Sequence, residues 1–314
     1  MPKALGGSSK HYNIHAAEWY NDTHLSKIVG NVVARKRPSK RTVTAPQDIT
    51  SLLAALDNPD SEVRRIAIEA LGHNDSPDAT AALIVMLNDR DSNIRSWAAG
   101  MLGGVGSTPG RPEAVEPLIT ALHDTDAYVR GDAAISLGLL RDHRAASALM
   151  QCLTDSSPAV RGHAANALGS IGAGEASVLL ATTLHDPERI VRVWSAVALR
   201  NLHWSGATDA TPLAVPALIA ALQDSDATVR EKAANALGTI RDVRAVDPLL
   251  AALKDDEVMV RYAAVEALEE IGDPRALPAL QWVVTHDQGT TFLGNINERA
   301  VQAIAWLQTR ASDT

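Results

Sequence analysis

Hydrophobic and polar positions follow a helical period through most of the chain, and the same arrangement returns every 31 to 38 residues. In the stretch VRGHAANALGSIG, which begins at Val160, the residues Ala164, Ala167, Leu168 and Ile171 fall on one face of a helix. Related stretches begin at Val63, Ile94, Val129, Val191, Val229 and Val260. The pattern therefore predicts one helical unit copied many times.

An arginine near the start of each stretch sets the register of the repeat. Successive arginines are 31, 35, 31, 31, 38 and 31 residues apart, and a leucine lies eight residues before each of them. The arginines are Arg64, Arg95, Arg130, Arg161, Arg192, Arg230 and Arg261. A degenerate eighth copy has Asn297 at this place. Positions are numbered from this residue, so that Ala164 is at +3 of the fourth repeat.

Each repeat is predicted to be a pair of helices joined by a polar turn. Turns such as Asp124 to Asp126, and the pair Ser157 and Pro158, are typical of the start of a second helix. Five glycines are expected to help end it: Gly72, Gly103, Gly138, Gly169 and Gly238. Because one pair cannot bury its apolar face, we expect about eight pairs to stack over residues 47–314 into an all-α, right-handed α-solenoid.

Residues 1–46 do not match the repeat and are predicted to form a separate N-terminal arm. From Asp22 onward the apolar residues fall on one side of a short amphipathic helix, which is expected to cap the first repeat. The arm carries eight Lys or Arg against Glu18 and Asp22, whereas residues 47–314 carry 21 basic against 35 acidic side chains. This acidic body argues against nucleic acid as a partner.

Composition limits the fold class and the cellular compartment that we expect for the protein. The chain is 46% hydrophobic but only 4% aromatic, which favours closely packed helices, and its one cysteine, Cys152, excludes an internal disulfide. The longest apolar runs are too short for a membrane span, and the first ten residues lack the apolar core of a signal peptide. We therefore expect a cytoplasmic protein; its oligomeric state stays open.

The repeat spacing, the stretch from Val160 and the run IGDPRALPAL from Ile271 resemble HEAT-like repeats of the phycobilisome-lyase type. The resemblance covers residues 48–310. It implies a ladder between adjacent repeats, made by the turn aspartate and the arginine six residues after it, such as Asp124 with Arg130. It also implies functions as different as chromophore lyases, scaffolds, regulators and metal-dependent hydroxylases.

Candidate functional residues lie where the copies differ, at +1, +2, +5 and +9 of the second helix, which are expected to face a concave surface. At +2, two tryptophans flank an aspartate and a histidine, and the +1 glycines leave room beside them. An insertion after the fifth repeat adds one more tryptophan. The predicted groove consists of Trp97, Gly131, Asp132, Gly162, His163, Trp194 and Trp204. The alternative is that Trp97 and Trp194 pack on neighbouring repeats.

Two functions fit this groove. The first is a non-enzymatic interaction or scaffold protein that holds another protein in the groove and needs no cofactor. The alternative is a phycobilin lyase, or a similar chromophore chaperone, that binds a bilin with Asp132 on the pyrrole nitrogens and aromatic walls beside it. No catalytic residues are predicted. No metal site is predicted either, because the adjacent His-Glu pairs of HEAT-like hydroxylases do not occur in the sequence.

Overall fold

A computed structural model describes residues 48–104, 111–209 and 211–312, and the helix predicted from Asp22 lies outside them. The described residues form eight helix pairs, which confirms the all-α repeat fold. The first and second helices of the repeats are, in order, α1 (Ile49–Ala55), α2 (Ser61–Gly72), α3 (Pro77–Met86), α4 (Ser92–Leu102), α5 (Val115–Ala121), α6 (Ala127–Leu140), α7 (Ala146–Cys152), α8 (Pro158–Ile171), α9 (Ser177–Thr183), α10 (Arg189–Trp204), α11 (Val215–Ala221), α12 (Ala227–Ile240), α13 (Val246–Ala252), α14 (Val258–Ile271), α15 (Leu277–His286) and α16 (Ile296–Ser312).

One small hairpin interrupts the last repeat. Strand β1 (Thr290–Thr291) pairs antiparallel with β2 (Gly294–Asn295) between α15 and α16. Short 3-10 turns precede the first helices of repeats three to eight. The second helices of neighbouring repeats pack directly on one another, so they form a continuous row of even-numbered helices.

The core of each repeat is built from the periodic apolar residues. In α8, Ala164, Ala167 and Leu168 are buried, as the pattern predicts, whereas Ile171 is only half-buried. Burying a leucine stabilises a fold by about 1.5 to 3 kcal/mol. The alanines contribute little area themselves, but they allow the neighbouring helices to approach closely.

Aspartate side chains cap four of the second helices, whereas the N-cap side chains of α8, α10 and α14 make no capping bond. The Asp126 side chain accepts a hydrogen bond from the amide of Tyr128 at the start of α6, and aspartates also cap α2, α4 and α12. Ser157 lies at the N-cap of α8, but its side chain makes no capping bond. Its backbone amide donates instead to Oδ1 of Asp155 at 2.7 Å.

The prediction that glycines end the second helices was wrong for Gly138, Gly169 and Gly238, which lie inside α6, α8 and α12. These helices end later, at Arg141, Gly172 and Arg241, whose φ angles of 52°, 75° and 59° are left-handed. Position +8 needs glycine for a different reason. A Cβ atom on Gly169 would lie 2.6 Å from the Cα atom of Ala198 in the next repeat, so this is where the two backbones meet.

The arginines form a ladder between adjacent repeats, but the predicted pairing within one turn was wrong. Each arginine pairs with the aspartate of the following turn, and the residue six positions before it offers only its backbone carbonyl. Arg130 donates from Nη1 to the carbonyl oxygen of Asp124 in its own turn at 2.8 Å, and its Nε and Nη2 bond both oxygens of Asp155 in the next turn. The ion pairs are Arg64 with Asp89, Arg95 with Asp124, Arg130 with Asp155, Arg161 with Asp186, Arg192 with Asp224, Arg230 with Asp255, and Arg261 with Asp287. Each arginine thus joins two turns.

Candidate functional site

We call the +1, +2, +5 and +9 positions of the even-numbered helices the second-helix face. Four of its junctions share one contact, in which a +1 residue touches the +2 residue of the following repeat. These contacts are Arg65 with Trp97, Ser96 with Asp132, Gly131 with His163, and Gly162 with Trp194. Two of these contacts join predicted groove residues to each other, Gly131 with His163 and Gly162 with Trp194, whereas Trp97 and Asp132 contact Arg65 and Ser96.

Trp194 is covered by the preceding repeat. Only 4% of it is exposed, and a Cβ atom on Gly162 would lie 3.2 Å from its Cδ1 atom. Its indole Nε1 is buried without a hydrogen-bond partner. The Trp194 indole therefore fills the space beside Gly162, as expected if Trp194 packs on a neighbouring repeat. The ring is not exposed to a ligand.

Asp132 and His163 are also engaged with neighbouring repeats. Asp132 is 7% exposed and accepts a hydrogen bond from the Ser96 hydroxyl. His163 lies against Gly131, where an added Cβ atom would be 3.4 Å from its Cδ2 atom. Burial lowers the pKa of His163 to about 4, so the imidazole is neutral at pH 7. A base this weak is poorly suited to proton abstraction near neutral pH.

An open apolar surface lies on α4 and α6. Trp97 is half-buried under the Arg65 guanidinium, which lies 5.2 Å from the ring centroid. One turn further on, Gly100 faces open space, with no atom within 4 Å of an added Cβ. On the next helix Ile135 is half-buried and Leu139 is 58% exposed. We call Trp97, Gly100, Ile135 and Leu139 the apolar patch.

Sequence reasoning missed Ile135 and Leu139, although a signal was present. At +5 and +9 the fourth repeat has Asn166 and Ser170, and the sixth has Asn235 and Thr239. Among the third, fourth and sixth repeats, only the third has aliphatic side chains at both +5 and +9. Comparison of the copies at +5 and +9, rather than at +2 alone, would have found the patch.

Trp204 lies apart from Trp194 and pairs with a residue that was also missed. It is 51% exposed, and the Arg200 guanidinium stands over its ring at 4.7 Å from the centroid. The signal for Arg200 is that it stands at +8, where five other copies have glycine. Further along the row the face becomes charged, with Lys232 paired to Glu231 at 2.9 Å and Arg299 to Glu266 at 3.3 Å.

Other chemistry is sparse in the part of the chain that the structure describes. Burial raises the pKa of the Cys152 thiol to about 11, so it is protonated at neutral pH and is a poor nucleophile. No group of three metal-ligating side chains occurs among the described residues. Across residues 48–104, 111–209 and 211–312, none of the helices is long and apolar enough to cross a bilayer.

A cavity of about 340 Å³ lies beside α3 and is lined in part by Thr80, Ile84 and Arg111. Arg111 was not expected to matter, yet it is 5% exposed and donates to the carbonyl oxygens of Gly72 at 3.0 Å and Met101 at 2.8 Å. These carbonyls are at the carboxyl ends of α2 and α4, so Arg111 satisfies acceptors that the helices leave free. Its role is to join the first three repeats.

Comparison with known proteins bears on this fold. The family model for HEAT repeats matches residues 49–138, 115–200 and 215–305, and that for the PBS lyase HEAT-like repeat matches residues 191–224. No curated protein matches the chain.

Three solved structures are similar. The YibA protein of Escherichia coli is 22% identical, with 98% of this chain and 99% of that chain covered and a TM-score of 0.60. An engineered protein is 25% identical, with 82% and 78% covered and a TM-score of 0.55. The complex of CpcE and CpcF of phycocyanin lyase from Nostoc sp. PCC7120 is 25% identical, with 86% and 100% covered and a TM-score of 0.46.

Proposed function

Because this chain belongs to the HEAT-repeat family, we propose that it is a non-enzymatic scaffold that holds a segment of another protein on its second-helix face. The observation that carries the proposal is the apolar patch. Its Leu139 side chain is 58% exposed, and the space beside Gly100 is open. Tryptophan is enriched among binding hot spots, and exposed apolar side chains within a polar surface mark sites of interaction.

The charges and pKa values of the face support binding over catalysis. His163 is neutral and a weak base, and Asp132 accepts a bond from Ser96. The Cys152 thiol, which lies outside the face on α7, is protonated. Catalysis by these groups needs a base or nucleophile with a pKa near the working pH. The second-helix face therefore offers contact surface more readily than reactive groups.

Selection of peptides from a displayed library against the full chain, followed by calorimetry, tests the proposal. The variant Trp97→Ala/Leu139→Ser is expected to bind the selected peptide with at least about tenfold lower affinity, since truncation of a hot-spot residue costs about 2 kcal/mol or more of binding free energy. The control is Leu213→Ser, because Leu213 is 66% exposed but lies before α11, outside the face. Equal affinity of the wild type and the double variant would contradict the proposal.

A bilin-binding lyase is the second candidate, and the match of residues 191–224 to the PBS lyase HEAT-like repeat favours it. The geometry favours it less, because Asp132 is 7% exposed and already bonded to Ser96. Titration with phycocyanobilin, followed by visible absorption, separates the two functions. A saturable spectral shift that Asp132→Ala abolishes would support the lyase function. If no shift occurs, the scaffold function is favoured.

A further inference from the structure

Two junctions in the row of second helices are irregular, the one after α10 and the one after α14. At +8 of repeats two, three, four and six a glycine meets the backbone of the next helix, with distances of 2.6 to 2.9 Å from an added Cβ to the facing Cα. At the same position α10 has Arg200 and α14 has Glu269. A side chain of that size cannot occupy the glycine contact, so these two junctions must accommodate a charged group.

The two charged residues are treated differently by the fold. Glu269 is bonded by Arg299, which lies at +2 of the following repeat. The residue at +2 opposite Arg200 is Lys232, which carries the same charge as the arginine and is paired with Glu231 at 2.9 Å. Arg200 itself forms no ion pair with any residue of the described ranges, although Glu231 and Glu270 are near enough to act on its charge.

Arg200 has hydrogen-bonding capacity that the chain does not use. Its Nε atom is buried without a partner, and the residue as a whole is only partly covered. The next residue, Asn201, is 7% exposed and its Oδ1 atom also lacks a partner. In folded proteins a buried guanidinium nearly always donates hydrogen bonds to a carboxylate or a carbonyl oxygen. The two Nη groups of Arg200 are not among the buried atoms that lack a partner, and a guanidinium stacked on an indole can still bond a carboxylate through them.

We propose that Arg200, stacked on Trp204, binds a single carboxylate of the segment held on the second-helix face. The guanidinium donates to both carboxylate oxygens, and the exposed Trp204 indole packs against the apolar atoms beside the carboxylate. One carboxylate fits better than an acidic run, because residues 47–314 carry an excess of acidic side chains and repel further negative charge. The proposal rests on the proposed function, since it names one group of the bound segment.

The test uses the full chain and three alanine pentapeptides as probes: one with a central glutamate and both ends blocked, one with glutamine in its place, and one with glutamine and a free carboxyl terminus. The signals of the Arg200 Nε–H and Trp204 indole N–H groups are followed by NMR during titration. The glutamate peptide, the free-terminus peptide or both are expected to shift them saturably, and which one does so identifies the source of the carboxylate. Equal shifts with the blocked glutamine peptide, or none with any probe, would overturn the proposal.

A matched pair of variants separates recognition from structure. Arg200→Gly introduces the glycine that five other repeats have at +8, and it is expected to lose the titration while its unfolding midpoint falls no further than a glycine inside a helix costs. Arg275→Ala, which removes an exposed arginine paired with Asp273, is expected to keep the titration. A purely structural Arg200 would instead lower the unfolding midpoint by more than that cost and leave the shifts of the Trp204 indole in place. Because the probes are free peptides, this result does not depend on the apolar patch.

Discussion

Arg130 bonds the carboxylate of Asp155 in the following repeat through two nitrogens, at 2.7 and 2.8 Å. Both side chains are largely covered, with 13% and 12% exposed. We expect Arg130→Ala to destabilise the protein by about 1 to 3 kcal/mol, because it leaves a partly buried carboxylate without its partner. Urea unfolding measures this, with Arg144→Ala as the control.

Arg144 pairs with Asp142 and Glu116, but half of its side chain is exposed. An exposed ion pair contributes little to stability, so the control should unfold at nearly the same urea concentration as the wild type. If the two variants unfold at the same urea concentration, the ladder has no special role in joining the repeats.

Acid is expected to weaken the ladder. The hydrogen bond from Arg95 lowers the pKa of Asp124 below its ordinary value of 3.8. The folded protein therefore binds a proton on Asp124 less readily than the unfolded chain does. The contribution of Asp124 to stability is complete above the pKa of the unfolded chain and is lost as the pH falls through the lower pKa of the folded protein. Unfolding midpoints between pH 5 and 2 should fall less steeply in Asp124→Asn, and an identical slope would contradict the assignment.

His163 adds a pH dependence at higher pH. Burial lowers its pKa from 6.5 to about 4, so the folded state resists protonation and stability falls as the pH drops through this window. We expect His163→Gln to flatten the stability profile between pH 6.5 and 4. NMR titration of the imidazole provides an independent check, and a midpoint near 6.5 would show that the side chain is not buried as described.

Two glycine substitutions are expected to have opposite signs. Gly169→Ala places a Cβ atom 2.6 Å from the Ala198 backbone and should cost about 1 to 3 kcal/mol, although alanine favours helix. Gly100→Ala meets nothing within 4 Å and should stabilise α4 by about 0.5 to 1 kcal/mol. Thermal unfolding distinguishes the two variants. If both are less stable than the wild type, the close backbone contact at +8 does not explain the effect of Gly169→Ala.

The periodic parts of the molecule could be predicted from the sequence because they depend on local spacing. Leu168 is buried and Arg130 reaches the next turn since each copy presents the same face to the same neighbour. The candidate site was harder, because a pattern shows which face a residue occupies but not which repeat covers it. Gly162 was interpreted as room for a ligand, whereas the Trp194 indole of the following repeat fills that room.

The direction of the ladder has a consequence for assembly. Every junction takes its guanidinium from the earlier repeat and its carboxylate from the later one, so the array has a donor side and an acceptor side. The first turn has Asn58 where the others have aspartate, and the eighth repeat has Asn297 where the others have arginine. An amide replaces the charge at each extremity of the array. Two copies placed end to end would therefore lack the arginine and the aspartate that a further ion pair of the ladder needs.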